Sequence, residues 1–410
     1  MVTKNTNRLA EVGSIDPRTG FPLWYEDATG RRLELVWQEG DLNAPVTIDP
    51  EESGPLRDIR AFPGEAFYLL AEARMVSAGG PRNGRVRVVL ALEATFGGAG
   101  EVADGQQIVF GRTRFRIDDG RPNQKYTLTH PYGVLEGTAD EKGRVFVTED
   151  IGVTPLGFAE ALGGQIAPFL AWDSGAPAGY IGDGQTAHRI TGSPFGTNHV
   201  LVEGPGIAPA GGQSGPPGTP FDPDKLYTDR FVVQGRIATL NGADVPRAVY
   251  SRNGGTVAVD VFARSIPGQG LSLDVGGGPQ DVAVRGGTGD SRNYFVRVDT
   301  GNTVPQKVTV ENTDDPVVDP PMPPTEATVT DAVEITRADY DSAARTLTVV
   351  AESSDQASPR TLTLTGVGSA DTTLDGTGGA TLPGIDAPPP VVTVFSDAGG
   401  STTRTVTVVG

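Results

Sequence analysis

Glycine and proline punctuate this chain so often, 56 and 33 times in 410 residues, that few uninterrupted stretches could hold a long helix. Between the breaks lie short runs of Val, Leu, Thr and Phe bounded by Gly, Asp and Asn, which is how strands and turns are written. The expected fold class is all-β. The length suits about two to four domains, each able to bury its own core.

Residues 1–240 read as an N-terminal β domain, a β-sandwich or jelly-roll-like region that contains Trp24, Trp37 and Trp172. A hairpin is predicted from 21–25 through a turn at 26–30 into 32–37, with further strands at 85–96, 107–117, 125–130 and 144–148. One helical stretch is expected at 156–170, where Phe158, Ala161 and Leu162 share a face before Gly163, Gly164 and Pro168 interrupt it. Residues 204–220 are mostly Gly, Pro, Ser and Ala and read as a long loop, either dividing this domain into two subdomains or inserted within one.

The last third repeats. Arg247, Ala248, Tyr250, Thr256 and Val259 recur, 90 residues on and without a gap, as Arg337, Ala338, Tyr340, Thr346 and Val349. Two copies of one fold follow, at 241–313 and 325–410, joined by a Pro-rich acidic linker at 314–324 that would hold them apart like beads on a rod. In the second copy Leu347, Val349 and Ala351 alternate with Thr346, Thr348 and Val350, so one set should face the core.

The repeat resembles bacterial immunoglobulin-like β-sandwich domains, carried by Arg337-Ala-Asp-Tyr340-Asp followed by Thr346-Leu-Thr-Val-Val350. The resemblance covers about the last 170 residues and implies tandem sandwiches of the kind that space out exported proteins. The N-terminal half is similar to bacterial exported proteins with a Thr19-Gly-Phe-Pro22 opening and a His130-Pro-Tyr-Gly133 segment, which implies an extracellular setting and no particular activity.

Charge narrows the partners. A formal net charge of -18 opposes nucleic acid and anionic membrane surfaces. No apolar run approaches the ~20 residues of a membrane-spanning helix, so no membrane insertion is expected. The absence of Cys excludes disulfides, thiolate metal sites and Cys nucleophiles, and suits an exported protein. The first seventeen residues are polar, so an extracellular or cell-surface location is expected without a visible export signal in this chain.

Catalytic patterns are sparse. Gly289-Asp290-Ser291 is like the nucleophile signature of one lipase family but sits inside a repeat, and Ser214 lies in the Gly/Pro loop without a second Gly. His130, His188 and His199 are far apart and form no paired-ligand motif. Glu93 is the best candidate acid for glycoside hydrolysis, a buried acid satisfied by Arg being the commoner reading. No catalytic residue is assigned, and the chain is read as not an enzyme.

Binding patterns are richer. Arg112, Arg114 and Arg116 share one face of a strand, which suits carboxylates of an acidic glycan or of a neighbouring subunit. Trp24, Tyr25 and Trp37 are a candidate sugar-stacking platform, core positions being the commoner reading. Carboxylates cluster at Asp118 and Asp119, at Asp222, Asp224 and Asp229, and at Asp314, Asp315 and Asp319. Of these, Asp222, Asp224 and Asp229 are the candidate ligands for Ca2+, the one cofactor the pattern leaves open, against a reading as solvated turn acids. The leading expectation is a non-catalytic extracellular structural or adhesive protein whose main partner is itself, assembling into fibres or layers through the arm before Ile15 and the strand at 402–409. A glycan-binding module of the cell surface is the alternative, and a hydrolase with accessory domains the third reading.

Overall fold

The computed structural model describes the chain apart from residues 1–4, 38–40, 43–61, 80–83, 99, 277–281, 288, 290, 319–320, 358 and 369. Strands make up nearly all of its regular structure, so the chain is all-β, and they fall into two compact units. One comprises Met1–Gly242 with Asp315–Pro323, the other Ala243–Asp314 with Pro324–Gly410.

In the first unit, the strand Arg85–Phe96 shows why a sheet forms. Val86, Val88, Leu90, Leu92, Ala94 and Phe96 point inward and are buried, while Arg85, Arg87 and Glu93 lie on the opposite face. Each large apolar side chain so buried contributes roughly 1.5–3 kcal/mol. The strand is central to a six-stranded sheet ordered Ala187–His188, Phe231–Gln234, Glu65–Val76, Arg85–Phe96, Gln107–Ile117, Val145–Ile151. Two four-stranded sheets contribute to the same core. One of them contains the predicted hairpin, with Trp24–Asp27 paired to Arg32–Glu34.

Tyrosines pin the loops over this core. Tyr25 donates to the Phe158 carbonyl at 3.0 Å and Tyr132 to the Pro168 carbonyl at 2.6 Å, because a phenol taken out of water needs an acceptor. The predicted helix shrinks to a single 3-10 segment, Phe158–Gly163. Leu156 has already adopted φ 59°, no side chain caps the start, and Gly163 and Gly164 end the segment. The stretch 204–220 joins two directly paired strands, Val200–Glu203 and Lys225–Thr228. Ser214 draws it together, its Oγ accepting from the Asp222 amide at 2.8 Å and donating to the Asp222 carbonyl at 3.0 Å.

In the second unit the repeat is visible as two cores. The first gathers Tyr250, Val257, Val259, Val261, Leu271 and Leu273, and the second Tyr340, Leu347, Val349, Ala351, Leu362 and Leu364. Leu347, Val349 and Ala351 do face inward, as their alternation predicts. The gapless alignment slips by two residues in the first hairpin, however. Tyr250 stands opposite Val259 and Tyr340 opposite Leu347. A two-residue turn at Gly254 and Gly255, with φ 58° and 98°, closes the first hairpin, whereas four residues, 342–345, close the second. A slip of two keeps every side chain on its own face, so the sequence pattern survives it.

The Pro-rich segment is placed differently from a linker. The strand after it, Thr325–Thr328, pairs back onto Lys307–Asn312, and Thr330–Asp331 then runs parallel to Asp244–Asn253. Ser401–Thr405 on Val391–Ser396, followed by Thr407–Val409 parallel to Val333–Asp341, is the same arrangement in the second copy. The segment 314–324 therefore joins two neighbouring strands of the first copy. Its acids hold backbone amides: Asp314 accepts from Gly270 at 2.8 Å, while in the first unit Asp315 accepts from Asn241 and Gly242, each at 2.7 Å. Asp319 is outside the described residues.

Nor are the two copies held apart. The fully buried carboxylate of Asp355 accepts from the Tyr250 hydroxyl at 3.0 Å and from Arg360 Nη2 at 2.5 Å, with Arg252 Nε 3.5 Å away. Burial pushes Asp355 up, but the Arg360 and Tyr250 hydrogen bonds outweigh it and leave the carboxyl below its ordinary range. Both chain ends are engaged as well. Leu9–Val12 is paired with Trp24–Asp27, the Asn5 amide donates to the Gln165 and Ala167 carbonyls, and the strands of 401–409 are paired as above. Among the described residues, the strands nearest both ends are thus already paired within the chain rather than spare for exchange.

Candidate functional site

The solvent-facing side of the six-stranded sheet carries an arginine face. Register places Arg74, Arg87, Arg116 and Phe146 side by side on four adjacent strands, a row spanning about 14 Å at the usual strand spacing. The next row is Glu72, Val89, Arg114 and Thr148, and the one after it Leu70, Ala91, Arg112 and Asp150.

Like charges directly opposite one another destabilise a sheet unless neighbours compensate. Here the acids are shared. Glu72 takes Arg87 in a two-pronged contact at 2.9 and 2.8 Å and also meets Arg74, and burial pushing its carboxyl up is outweighed by these two arginines, which bring it below its ordinary range. Asp118 is divided between Arg116 at 2.6 Å and Arg85 at 3.1 Å. The side chains of Arg74, Arg87 and Arg116 remain about half exposed or more, with donors left to meet a ligand.

Arg112 is committed inward, to Glu93 at 2.7 Å and to Asp150 at 2.9 and 3.0 Å. Burial raises Glu93 to about 7 against the pull of Arg112, with Glu65 and Asp150 adding to the rise. Three carboxyl groups around one guanidinium leave the most buried of them holding its proton near neutrality. Arg114 has no hydrogen-bond partner for Nε among the described residues. Its guanidinium lies 5.5 Å from the ring centre of Phe146, which is 60 % exposed. Desolvation, then the neighbouring Arg112, lowers the Arg114 pKa.

The predicted arginine stripe is thus real as a face but unequal in its members: Arg112 is internal wiring, Arg114 is half-buried and Arg116 is exposed. Arg74 and Arg87, which complete the row, were not singled out from the sequence. The signal for Arg87 was its alternation with Val86 and Val88 in the neighbouring strand.

The other candidates lie elsewhere. Trp24, Tyr25 and Trp37 are 3 %, 0 % and 6 % exposed, so their rings belong to the interior and offer no sugar-stacking platform. Asp222 and Asp224 serve turns, accepting from the Asp224 and Gly206 amides, while Asp229 pairs with Arg230 beyond the far end of the strand Lys225–Thr228. They do not converge as Ca2+ ligands, and among the described residues no three His, Asp or Glu side chains do.

His130 is buried, and desolvation lowers its pKa to about 3, so it is neutral, its Nδ1 accepting from the Tyr132 amide. His188 stacks on Trp172 and His199 lies beside Tyr227. Ser291 accepts from the Asn293 amide, and Asp290 is outside the described residues. A depression in the first unit is lined by Asp16, Arg18, Glu34, Trp37 and Arg236 among others, and both acids are held by arginine, Asp16 by Arg18 at 2.7 Å and Glu34 by Arg236 at 2.6 Å.

No family model matches the chain, and no curated protein is significantly similar to it. Two solved structures align with it over long stretches. One comes from work on host-cell-surface retention of a 1.5-MDa bacterial ice-binding adhesin, at 15 % identity and a TM-score of 0.16, over 73 % of this chain and 88 % of that one. The other is a Ca2+-stabilised adhesin with which an Antarctic bacterium reaches out and binds ice, at 14 % identity and a TM-score of 0.14, over 98 % and 89 %. Superpositions at these scores establish no common fold.

Proposed function

We propose that this chain is a non-catalytic extracellular adhesive protein whose N-terminal unit grips acidic groups on a surface polymer, with the tandem C-terminal sandwiches of immunoglobulin-like type as its stalk. The observation that supports this most directly is the row Arg74, Arg87, Arg116 on adjacent strands of one rigid sheet. A sheet selected only for stability would alternate charges across strands. Three guanidinia side by side suit a ligand that brings several carboxylates or sulfates at once.

The test is binding to immobilised heparin and to neutral dextran. Heparin should be retained and dextran not, and the R74Q/R87Q/R116Q variant should lose at least tenfold in affinity. Binding should also tighten between pH 8 and pH 6. Glu93 takes up its proton through that window, leaving the charge of Arg112 less compensated. Heparin binding that ignores the triple substitution would overturn the reading.

A further inference from the structure

A second cross-strand row lies on the solvent face of the first repeat, and nothing in the N-terminal reading uses it. Register aligns Arg247, Phe262, Phe295 and Arg285 on four adjacent strands. Both phenylalanines are solvent-exposed, 37 % and 43 %, with ring centres 5.1 Å apart and planes tilted by 51°. The Arg247 guanidinium lies 5.4 Å from the ring centre of Phe262. Two acids lie on the flanking rows. Asp260 is gripped by Arg297 at 2.7 and 2.6 Å, and Asp244 stands opposite Arg264. Among the described residues neither Arg247 nor Arg285 has an ion-pair partner.

The fold does not require this row. In the second repeat the corresponding positions are Arg337, Val350 and Gly379, and Arg337 is paired with Asp339 at 2.7 Å. Two exposed aromatic rings with a cation at either end are therefore particular to the first repeat.

From this geometry we infer a binding site for a carboxylated polysaccharide, its sugar rings lying across Phe262 and Phe295 and its carboxylates reaching Arg247 and Arg285. The complement of the row is an apolar face with negative charge on both sides, about 14 Å from end to end. A pyranose polymer presents C–H faces and, as a uronate, carboxylates at intervals. A peptide fits less well. Thr256–Arg264 and Asn293–Asp299 are interior strands whose backbone groups are already paired, so no edge is available for strand addition.

The experiment measures full-length protein against alginate, with polyglutamate supplying carboxylates without rings and dextran supplying rings without carboxylates. The R74Q/R87Q/R116Q background removes the N-terminal arginine row, so that failure of one site is read separately from failure of the other. In that background alginate should still bind, F262A/F295A and R247Q/R285Q should each lower affinity by about tenfold, and neither control polymer should compete. Circular dichroism of each variant checks folding, which these exposed positions should not disturb. Alginate affinity unchanged by F262A/F295A would overturn the proposal. Equal competition by polyglutamate would replace it with an acidic polypeptide, and a variant that changes only the sedimentation of the protein would replace it with a second copy.

Discussion

The two repeats of the C-terminal unit share inward-facing residues and differ in what they do with matched outward ones. Ala248 and Ala338, and Tyr250 and Tyr340, occupy equivalent buried positions. Yet the Tyr250 hydroxyl reaches Asp355 in the neighbouring repeat, while the Tyr340 hydroxyl donates to the Ile385 carbonyl within its own. Arg247 lies over an exposed Phe, and Arg337 is neutralised by Asp339. Selection on folding holds the inner face, where a wrong side chain leaves a cavity or an unsatisfied group. The outer face and the junction are where one copy can acquire a task the other lacks.

The largest effect should come from breaking the junction. Asp355→Ala removes a carboxylate with no solvent exposure and leaves Tyr250, Arg252 and Arg360 without it. Losing one member of a buried charge cluster costs about 3 kcal/mol or more, and the partly exposed arginines reduce this to about 2 kcal/mol here. Thermal unfolding should fall accordingly and separate into two transitions, one per repeat. The wild-type junction should also be acid-sensitive in a defined direction. Because the Asp355 pKa is depressed in the fold, its contribution is complete above about pH 4 and is lost as pH falls through the folded value. The same acid titration of Asp355→Ala should lack that component.

Much of this architecture was readable beforehand, and the exceptions share one cause. The strands Arg85–Phe96, Gln107–Ile117 and Lys125–His130 begin and end where alternation and turn residues said they would. Alternation along a strand is local, so sequence displays it. Rows across strands are not local: Arg87 meets Arg116 and Phe262 meets Phe295 only through pairing. Thr325–Thr328 was equally opaque, because a Pro-rich stretch before a strand looks the same whether that strand pairs backward or forward. The tryptophans and Tyr25 carried no local mark of burial either, since an aromatic ring suits a core and a binding platform alike.

The tyrosines offer a sharper and smaller contrast. Tyr250→Phe deprives Asp355 of a donor and should cost about 1.5 kcal/mol, whereas Tyr340→Phe frees a backbone carbonyl near the surface and should cost about 1 kcal/mol or less. Stability alone separates these poorly, but pH does not. Only Tyr250→Phe removes a hydrogen bond that lowers the Asp355 pKa, so only that variant should move the acid transition to higher pH. Identical acid midpoints in the two variants would mean that the tyrosines are equivalent after all.

The smallest expected change in stability belongs to Phe262→Val, which gives the first repeat the residue found opposite Arg337 in the second. The ring is exposed and its loss opens no interior cavity, so unfolding should shift by no more than about 0.5 kcal/mol. Alginate binding in the R74Q/R87Q/R116Q background should nevertheless fall, because the ring and not the fold holds the sugar. A variant that unfolds early would place Phe262 among the structural residues and make the two repeats alike on both faces. One that stays stable and loses the polymer would show that a single exposed side chain separates stalk from binding module.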